Sequence, residues 1–381
     1  MIAEDTLSKN MLRPGTAWVP PSQALTGEAG DLRHFIQVLE DNGRLVRVRD
    51  PVHWRFDLGT VARETGTPLL FENIEGYPGQ RVFTNGLCDT TTIGLALGLE
   101  LGTTRKTLIA EAKKRIATPI KPRLVETAPV FENIAEAGDV NLLKLPVPQW
   151  SNCDGGRYLG TWHINVTKDP DTGFRNIGVY RMQLLGPRHA TVSASPRSHL
   201  SQHFARTEKE GRPLPMAVAI GVEETVVMAA AAAYPDGMDE YELAGGLQQE
   251  PVPLITCRTV DLEVPAQSEI VIEGLIQPGV RVPDGPYFDY TGTPNTNPNA
   301  FLFEATNLRV RSNPIFRGTS IGVPGAEDHQ LFAFLAELNL VDFHGSRVKQ
   351  VVQDALLKRR LFRAFQLAGK MGVMVRGNRR R

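Results

Sequence analysis

The sequence predicts an α+β protein: a small N-terminal α/β unit, a β-rich central region built as a barrel or sandwich, and a short helical tail. Three observations carry this. Residues 31–41 repeat apolar side chains at helical spacing, short β-rich runs recur from Pro129 to Phe316, and from Gly325 onward the pattern is again helical.

In order along the chain, residues 1–30 carry Pro, Gly, Ser and Thr without periodicity and are expected to form an extended arm. DLRHFIQVLEDNG then places Leu32, Phe35, Ile36 and Leu39 on one helical face and stops at Asn42-Gly43. RLVRVRDPV alternates as a strand does, and a helix is expected over Leu58 to Thr65. LLFENI and RVFTNG are strand-like pieces divided by the turn-rich EGYPGQ, and TTRKTLIAEAKKRI is amphipathic. Residues 31–125 therefore form the small α/β domain.

Residues 126–322 form the second domain. GTWHINVTKD, NIGVYRMQLLG, HATVSAS, MAVAIGV, LITCRTVDLEVP, EIVIEGLI and NLRVRSNPIFRG are short strands punctuated by turns, with room for a few short helices. Residues 323–381 give EDHQLFAFLAELN and then SRVKQVVQDALLKRRLFRAFQLAGKMG, a helical tail with an apolar stripe expected to be buried in an oligomer contact.

Composition excludes several classes. Lysine plus arginine equal aspartate plus glutamate at 42 each, which disfavours nucleic acid and membrane surfaces as partners. The basic ending is read as a solvated helix face and tail. The longest apolar run, Val226 to Tyr234, is too short for a bilayer span, which takes about 20 residues. The N-terminus has no signal-peptide pattern, and three widely spaced cysteines give neither a CxxC nor a disulfide framework, so a cytoplasmic location is expected. P-loop, GxGxxG, GxSxG and zinc spacings are absent from the sequence.

Three features remain: Asn176 and Arg181 in NIGVYR, His199 and His203 in HLSQH, and Asp284 and Asp289 in PDGPYFDY. Taken alone, each fits an ordinary structural role: a turn asparagine, solvated histidines, aspartates capping a Gly-Pro turn.

The order of longer blocks is more specific. LRHFIQVLEDNGRLVRV, DGGRYLGTWHINVTKDPDTGFRNIGVYRMQLLG, DEYELAGGL, DLEVPAQSEIVIEG and DGPYFDYTG resemble, in sequence order and separation, the UbiD family of decarboxylases. That resemblance implies a split β-barrel that binds prenylated FMN, with Mn²⁺ (or Mg²⁺) and K⁺ beside its phosphate. It implies metal ligands at Asn176, His199 and Glu240, leaving His203 a bystander. Arg181 would grip the substrate carboxylate, Asp284 would align it, and Asp289 would protonate the carbon that loses CO₂. Thr161 falls at a position near the flavin. The substrate would be an α,β-unsaturated, aromatic or heteroaromatic acid, in a reversible decarboxylation, with a flavin prenyltransferase supplying the cofactor to a homo-oligomer.

Three departures from the family's pattern stand out. Asp284 replaces the usual glutamate, which either retracts the pairing with Arg181 or makes room for a bulkier substrate. Ala229 to Ala233 replace small polar residues near the phosphate. A helical tail stands in place of the usual C-terminal α/β domain and its lysine, for which Lys349, Lys358 and Lys370 are the substitutes at hand. The alternative reading is a non-catalytic or partner-dependent subunit of a hetero-oligomeric (de)carboxylase; a plain flavin reductase is disfavoured by the Arg181, Asp284 and Asp289 set. The five-residue step from Asn176 to Arg181 sends them to opposite faces of a regular strand, so a bend is expected between them.

Overall fold

The computed structural model describes residues 30–233, 237–322 and 326–341. The predicted arm and second tail helix lie outside these residues, as do the three substitute lysines. The first helix, α1 (Leu32–Asp41), begins where the Asp31 carboxylate accepts from the His34 amide at 2.7 Å, and it buries Leu32, Phe35, Ile36 and Leu39. Gly43, with φ +65°, turns the chain out of it. Then follow β1 (Val46–Val48), α2 (Asp57–Thr65), β2 (Leu69–Phe71), β3 (Arg81–Thr84), α3 (Thr90–Ala96) and α4 (Arg105–Ile116).

The central region opens with two short edge pieces, β4 (Arg123–Leu124) and β5 (Asn133–Glu136). Then come β6 (Tyr158–Gly160), β7 (His163–Lys168), β8 (Arg175–Gly178), β9 (Met182–Gln183) and β10 (His189–Val192). Helix α5 (His199–Lys209) leads into β11 (Leu214–Ile220), followed by α6 (Glu224–Ala230) and α7 (Glu240–Gln248). After β12 (Pro253–Thr256) and β13 (Glu263–Pro265) comes the long hairpin of β14 (Ile270–Phe288) and β15 (Pro294–Val310). The described chain ends with β16 (Ile315–Arg317) and α8 (Glu327–Glu337).

Seven strands form a curled antiparallel half-barrel in the order β10–β15–β14–β11–β7–β8, with β5 added beside β15. This is the α+β architecture that the sequence predicts. The apolar run of β11 follows from burial on both faces: Ala217 and Ala219 pack into one core with Val226, Val227 and Tyr241 of α6 and α7. Met216, Val218 and Ile220 point into a second core on the opposite face. The hairpin is not regular. Its register shifts between Ile276 and Arg281 and again on either side of Asp284, and such bulges re-aim the residues beyond them.

The N-terminal sheet has the order β1–β2–β3–β16. Its fourth strand comes from beyond the half-barrel in sequence, with Ile315 to Arg317 running parallel to Arg81 to Phe83. The two units are further stitched by Arg33, which donates to both oxygens of Glu269 at 2.6 and 2.8 Å. No helix among the described residues is long and apolar enough to cross a membrane.

Candidate active site

A cavity of about 790 Å³ opens where β8, the N-termini of α5 and α7, the end of α6, the hairpin tip and α8 converge. Thr161, Asn176, Arg181, His199, Glu240 and Asp289 all line it. Asp284 stands behind this wall, 1% exposed, and reaches the cavity through Arg181.

The bend required between Asn176 and Arg181 is present. The chain leaves the half-barrel after Gly178 and resumes at Met182 in a separate two-stranded sheet with β6. Arg181 Nε donates to Asp284 Oδ1 at 2.6 Å, and the Thr191 hydroxyl donates to Asp284 Oδ2 at 2.6 Å. The shorter acid therefore keeps the pair. With Nε committed, the terminal nitrogens of the Arg181 fork are the ones left to grip an anion. The guanidinium lies over the Tyr287 ring, 5.2 Å from its centroid. Gly285, at φ +109°, permits the turn that follows Asp284, since a Cβ there would meet Asn295 O at 2.7 Å.

Asp289 follows β14 directly. Its Oδ1 accepts from the Thr291 amide (2.9 Å) and hydroxyl (2.5 Å), and its Oδ2 accepts from Asn295 Nδ2 at 3.1 Å. Local hydrogen bonds thus fix where this acid points.

Asn176, His199 and Glu240 come from three separate elements, so no local motif could have united them. The Ser198 hydroxyl accepts from the Ser201 amide at 3.3 Å, making His199 the first residue of α5. Asp239 accepts from the Tyr241 amide at 2.9 Å, making Glu240 the first residue of α7. His199 Nδ1 lies 3.0 Å from Asn176 Oδ1, and the Asn176 Nδ2 group, though buried, has no partner among the described residues. Glu240 Oε2 accepts from the Ile177 amide at 3.2 Å. Burial nonetheless pushes the Glu240 carboxyl up to about 7, with Asp239 adding to the rise. A buried carboxylate with too little countercharge, beside an amide oxygen and an imidazole, is a donor set suited to a hard divalent cation.

Thr161 and His203 take structural partners. The Thr161 hydroxyl accepts from the Thr319 amide at 2.9 Å, and His203 Nδ1 is 3.0 Å from the Thr167 hydroxyl. Burial holds the His203 imidazole down at about 4.

The profile of the UbiD 3-octaprenyl-4-hydroxybenzoate carboxy-lyase Rift-related domain matches residues 123–324, and that of the corresponding N-terminal domain matches residues 36–116. The chain belongs to the UbiD family. Among UbiD relatives it is 34% identical over 312 residues to a phenolic acid decarboxylase of Streptomyces sp. (strain D7), covering 78% of this chain and 65% of that protein. It thus spans just under two thirds of that relative's length. The vanillic acid decarboxylase of Sedimentibacter hydroxybenzoicus in its closed form superposes with TM-score 0.78 at 30% identity, over 81% of this chain and 68% of that one. An evolved dimeric form of the UbiD-class enzyme HmfF from Pelotomaculum thermopropionicum, in complex with prenylated FMN, gives 0.75 at 34% identity, over 81% and 71%.

Sequence reasoning passed over three residues here. Thr191, the second partner of Asp284, sits in a strand of unremarkable composition. The sequence carries Tyr287 only within DGPYFDY and Asp328 only within a helical run; both line the cavity. Their burial beside a ligand space is a tertiary fact with no local signature.

Proposed function

We propose that the chain is a prenylated-FMN-dependent decarboxylase of aromatic or α,β-unsaturated carboxylic acids, in a reaction that runs in either direction. The observation that supports this best is the meeting, at one cavity, of the Asp284-aligned guanidinium of Arg181, the anchored acid Asp289, and the Asn176, His199 and Glu240 set. The cavity's volume suits a cofactor with a small acid.

Arg181 binds and orients the substrate carboxylate through its terminal nitrogens. Asp284 and Thr191 hold the guanidinium still, so that little reorganisation is needed. Loss of CO₂ from an sp² carbon leaves a carbanion that no side chain stabilises; the prenylated flavin, when bound, supplies the electron sink. Asp289 delivers the proton that replaces CO₂ at carbon. Ile177, Val227, Leu331 and Phe332 exclude water from that carbon.

Asn176 Oδ1, His199 and Glu240 would hold Mn²⁺ or Mg²⁺, which would neutralise the flavin phosphate. K⁺ has thinner support, because the run Ala229 to Ala233 offers it only backbone carbonyls. A flavin prenyltransferase as supplier, a homo-oligomeric assembly and a cytoplasmic site of action complete the proposal.

The test is mass spectrometry of cofactor and metal released from protein co-expressed with a flavin prenyltransferase, alongside CO₂ release from a panel of unsaturated and aromatic acids. Prenylated FMN with about one divalent metal per chain is expected. Plain FMN with nicotinamide-dependent turnover would replace this reading with a flavin reductase. A chain that turns over only when a second protein is added would make it a partner-dependent subunit.

A further inference from the structure

Asn165 is a wholly buried amide in the middle of β7, paired with Val218 of β11 on one side and Gly178 of β8 on the other. Its Oδ1 accepts from the Tyr180 amide at 3.1 Å. Its Nδ2 finds only sulfur, Met182 Sδ at 3.2 Å and Met216 Sδ at 3.7 Å, and both methionines belong to the apolar core on that face. Thioethers are weak acceptors, so half of this buried amide is poorly satisfied and an apolar side chain would suit the core better. Packing does not explain the asparagine; the bond to Tyr180 does.

Tyr180 lies where the backbone has run out of partners. The β7–β8 ladder ends at the Asn165–Gly178 pair, and the chain swings away to resume at Met182 in the sheet with β6. The Tyr180 N–H has thereby lost the acceptor that a continuing ladder would give it, and the Asn165 side chain stands in for that acceptor. The swing is tight, since a Cβ on Gly178 would meet the Tyr180 ring at 2.7 Å. Asn165 thus touches residues 180 and 182, on either side of Arg181, while the Arg181 carbonyl accepts from the Ser193 amide at 3.0 Å. Asp284 holds the head of the arginine; these contacts hold the backbone from which it starts.

We infer that Asn165 is a positioning residue, which sets the aim of Arg181 by holding the peptide ahead of it and the side chain behind it. This rests on the decarboxylase reading for the kind of anion that Arg181 takes, but not for the aim itself. A long side chain magnifies a small rotation of its backbone, and a misplacement of about 1 Å at a binding group costs on the order of 10²-fold in rate.

The experiment is calorimetric titration of the purified full chain with benzoate and with benzamide, which share a ring and differ in the charge of the group that Arg181 would grip. It is repeated on Asn165→Leu, Asn165→Ser and Asn165→Asp, each first shown folded by its melting curve. The native chain should bind benzoate at least about tenfold more tightly than benzamide. Asn165→Leu removes the acceptor at nearly constant volume and should cut that ratio by about fivefold or more, with benzamide affinity unchanged. Asn165→Asp keeps a carbonyl acceptor, and burial keeps its carboxyl protonated, so the ratio should stay within about twofold of native. A purely structural role would change the fraction of competent chain and leave the ratio alone. No preference for benzoate in the native chain, a smaller loss in folded Asn165→Leu, or an equal loss in Asn165→Asp would overturn the assignment. If Asn165→Leu does not fold, Asn165→Ser, too short to reach the Tyr180 amide, decides by the same criterion. A preference that follows Asn165 without CO₂ release from any unsaturated or aromatic acid would defeat the decarboxylase reading and leave the positioning role standing. CO₂ release whose kcat/KM is unmoved by Asn165→Leu would do the reverse.

Discussion

Glu327 and Asp328 are adjacent in sequence and both buried, yet they meet opposite fates. Glu327 faces inward to a cluster in which Arg317 also donates to Glu224, whose second oxygen accepts from Trp162 Nε1 at 2.7 Å; side-chain exposure is 1% for the arginine and 0% for both acids. Asp328 faces the cavity and finds no partner among the described residues. A single step along the chain thus separates a region where the buried carboxylates are hydrogen-bonded on both oxygens from one where the bonding is left to a ligand. The lesson is that burial alone does not mark function; burial without a partner, at a cavity wall, does.

The hardest blow to this contrast should come from Arg317→Met. It strands two buried carboxylates and is expected to cost about 3–5 kcal/mol. A denaturant midpoint barely moved would show that the inner cluster is not the structural half of the pair. On the cavity side, Asp289→Asn should leave the melting curve alone while lowering CO₂ release by about 10²–10⁴-fold. Retained turnover would take the proton source elsewhere.

His163 sharpens the boundary between the halves. It is fully buried in β7, its ring set against Gly160 so closely that a Cβ there would meet it at 2.4 Å, and neither ring nitrogen has a partner among the described residues. Burial depresses its pKa from 6.5 to about 4. The fold therefore holds a neutral ring: its contribution is complete above about pH 6.5 and is lost as the pH falls through about 4, because the unfolded chain takes up the proton first. The loss is at most about 3 kcal/mol. His163→Leu should flatten the fall of the denaturant midpoint across that window, and an unchanged slope would assign the acid sensitivity to other groups. The smallest effect belongs to Asp328→Leu, expected to be neutral or to stabilise by about 1–2 kcal/mol. A clear destabilisation would mean that Asp328 has a structural partner after all.

The sequence announced its periodic elements well. The four apolar residues assigned to the face of α1 are the four that it buries, and β11 reads as a continuous apolar run because both its faces are covered. Helix α3 was not foreseen: TTTIGLA is short and rich in β-branched residues, and its capping box through Asp89 and Thr92 outweighs that propensity. The hairpin's full extent was hidden by the glycines, prolines and asparagines that its bulges use between Gln277 and Asn299. At the site, the family resemblance named residues that do line one cavity, with Asp284 behind them. The sequence could not say that Asp284 would still reach Arg181, because that depends on how the bulges aim the hairpin.

The parallel placement of β16 against β3 bears on how the protein is made. During synthesis at about 5–20 residues per second, β3 emerges on the order of ten seconds or more before the strand that covers it. For that interval the nascent N-terminal sheet presents an open edge, the kind of surface that recruits other strands. The covering strand, β16, must then close a loop spanning the whole half-barrel, so completion of the first domain waits on the folding of the second.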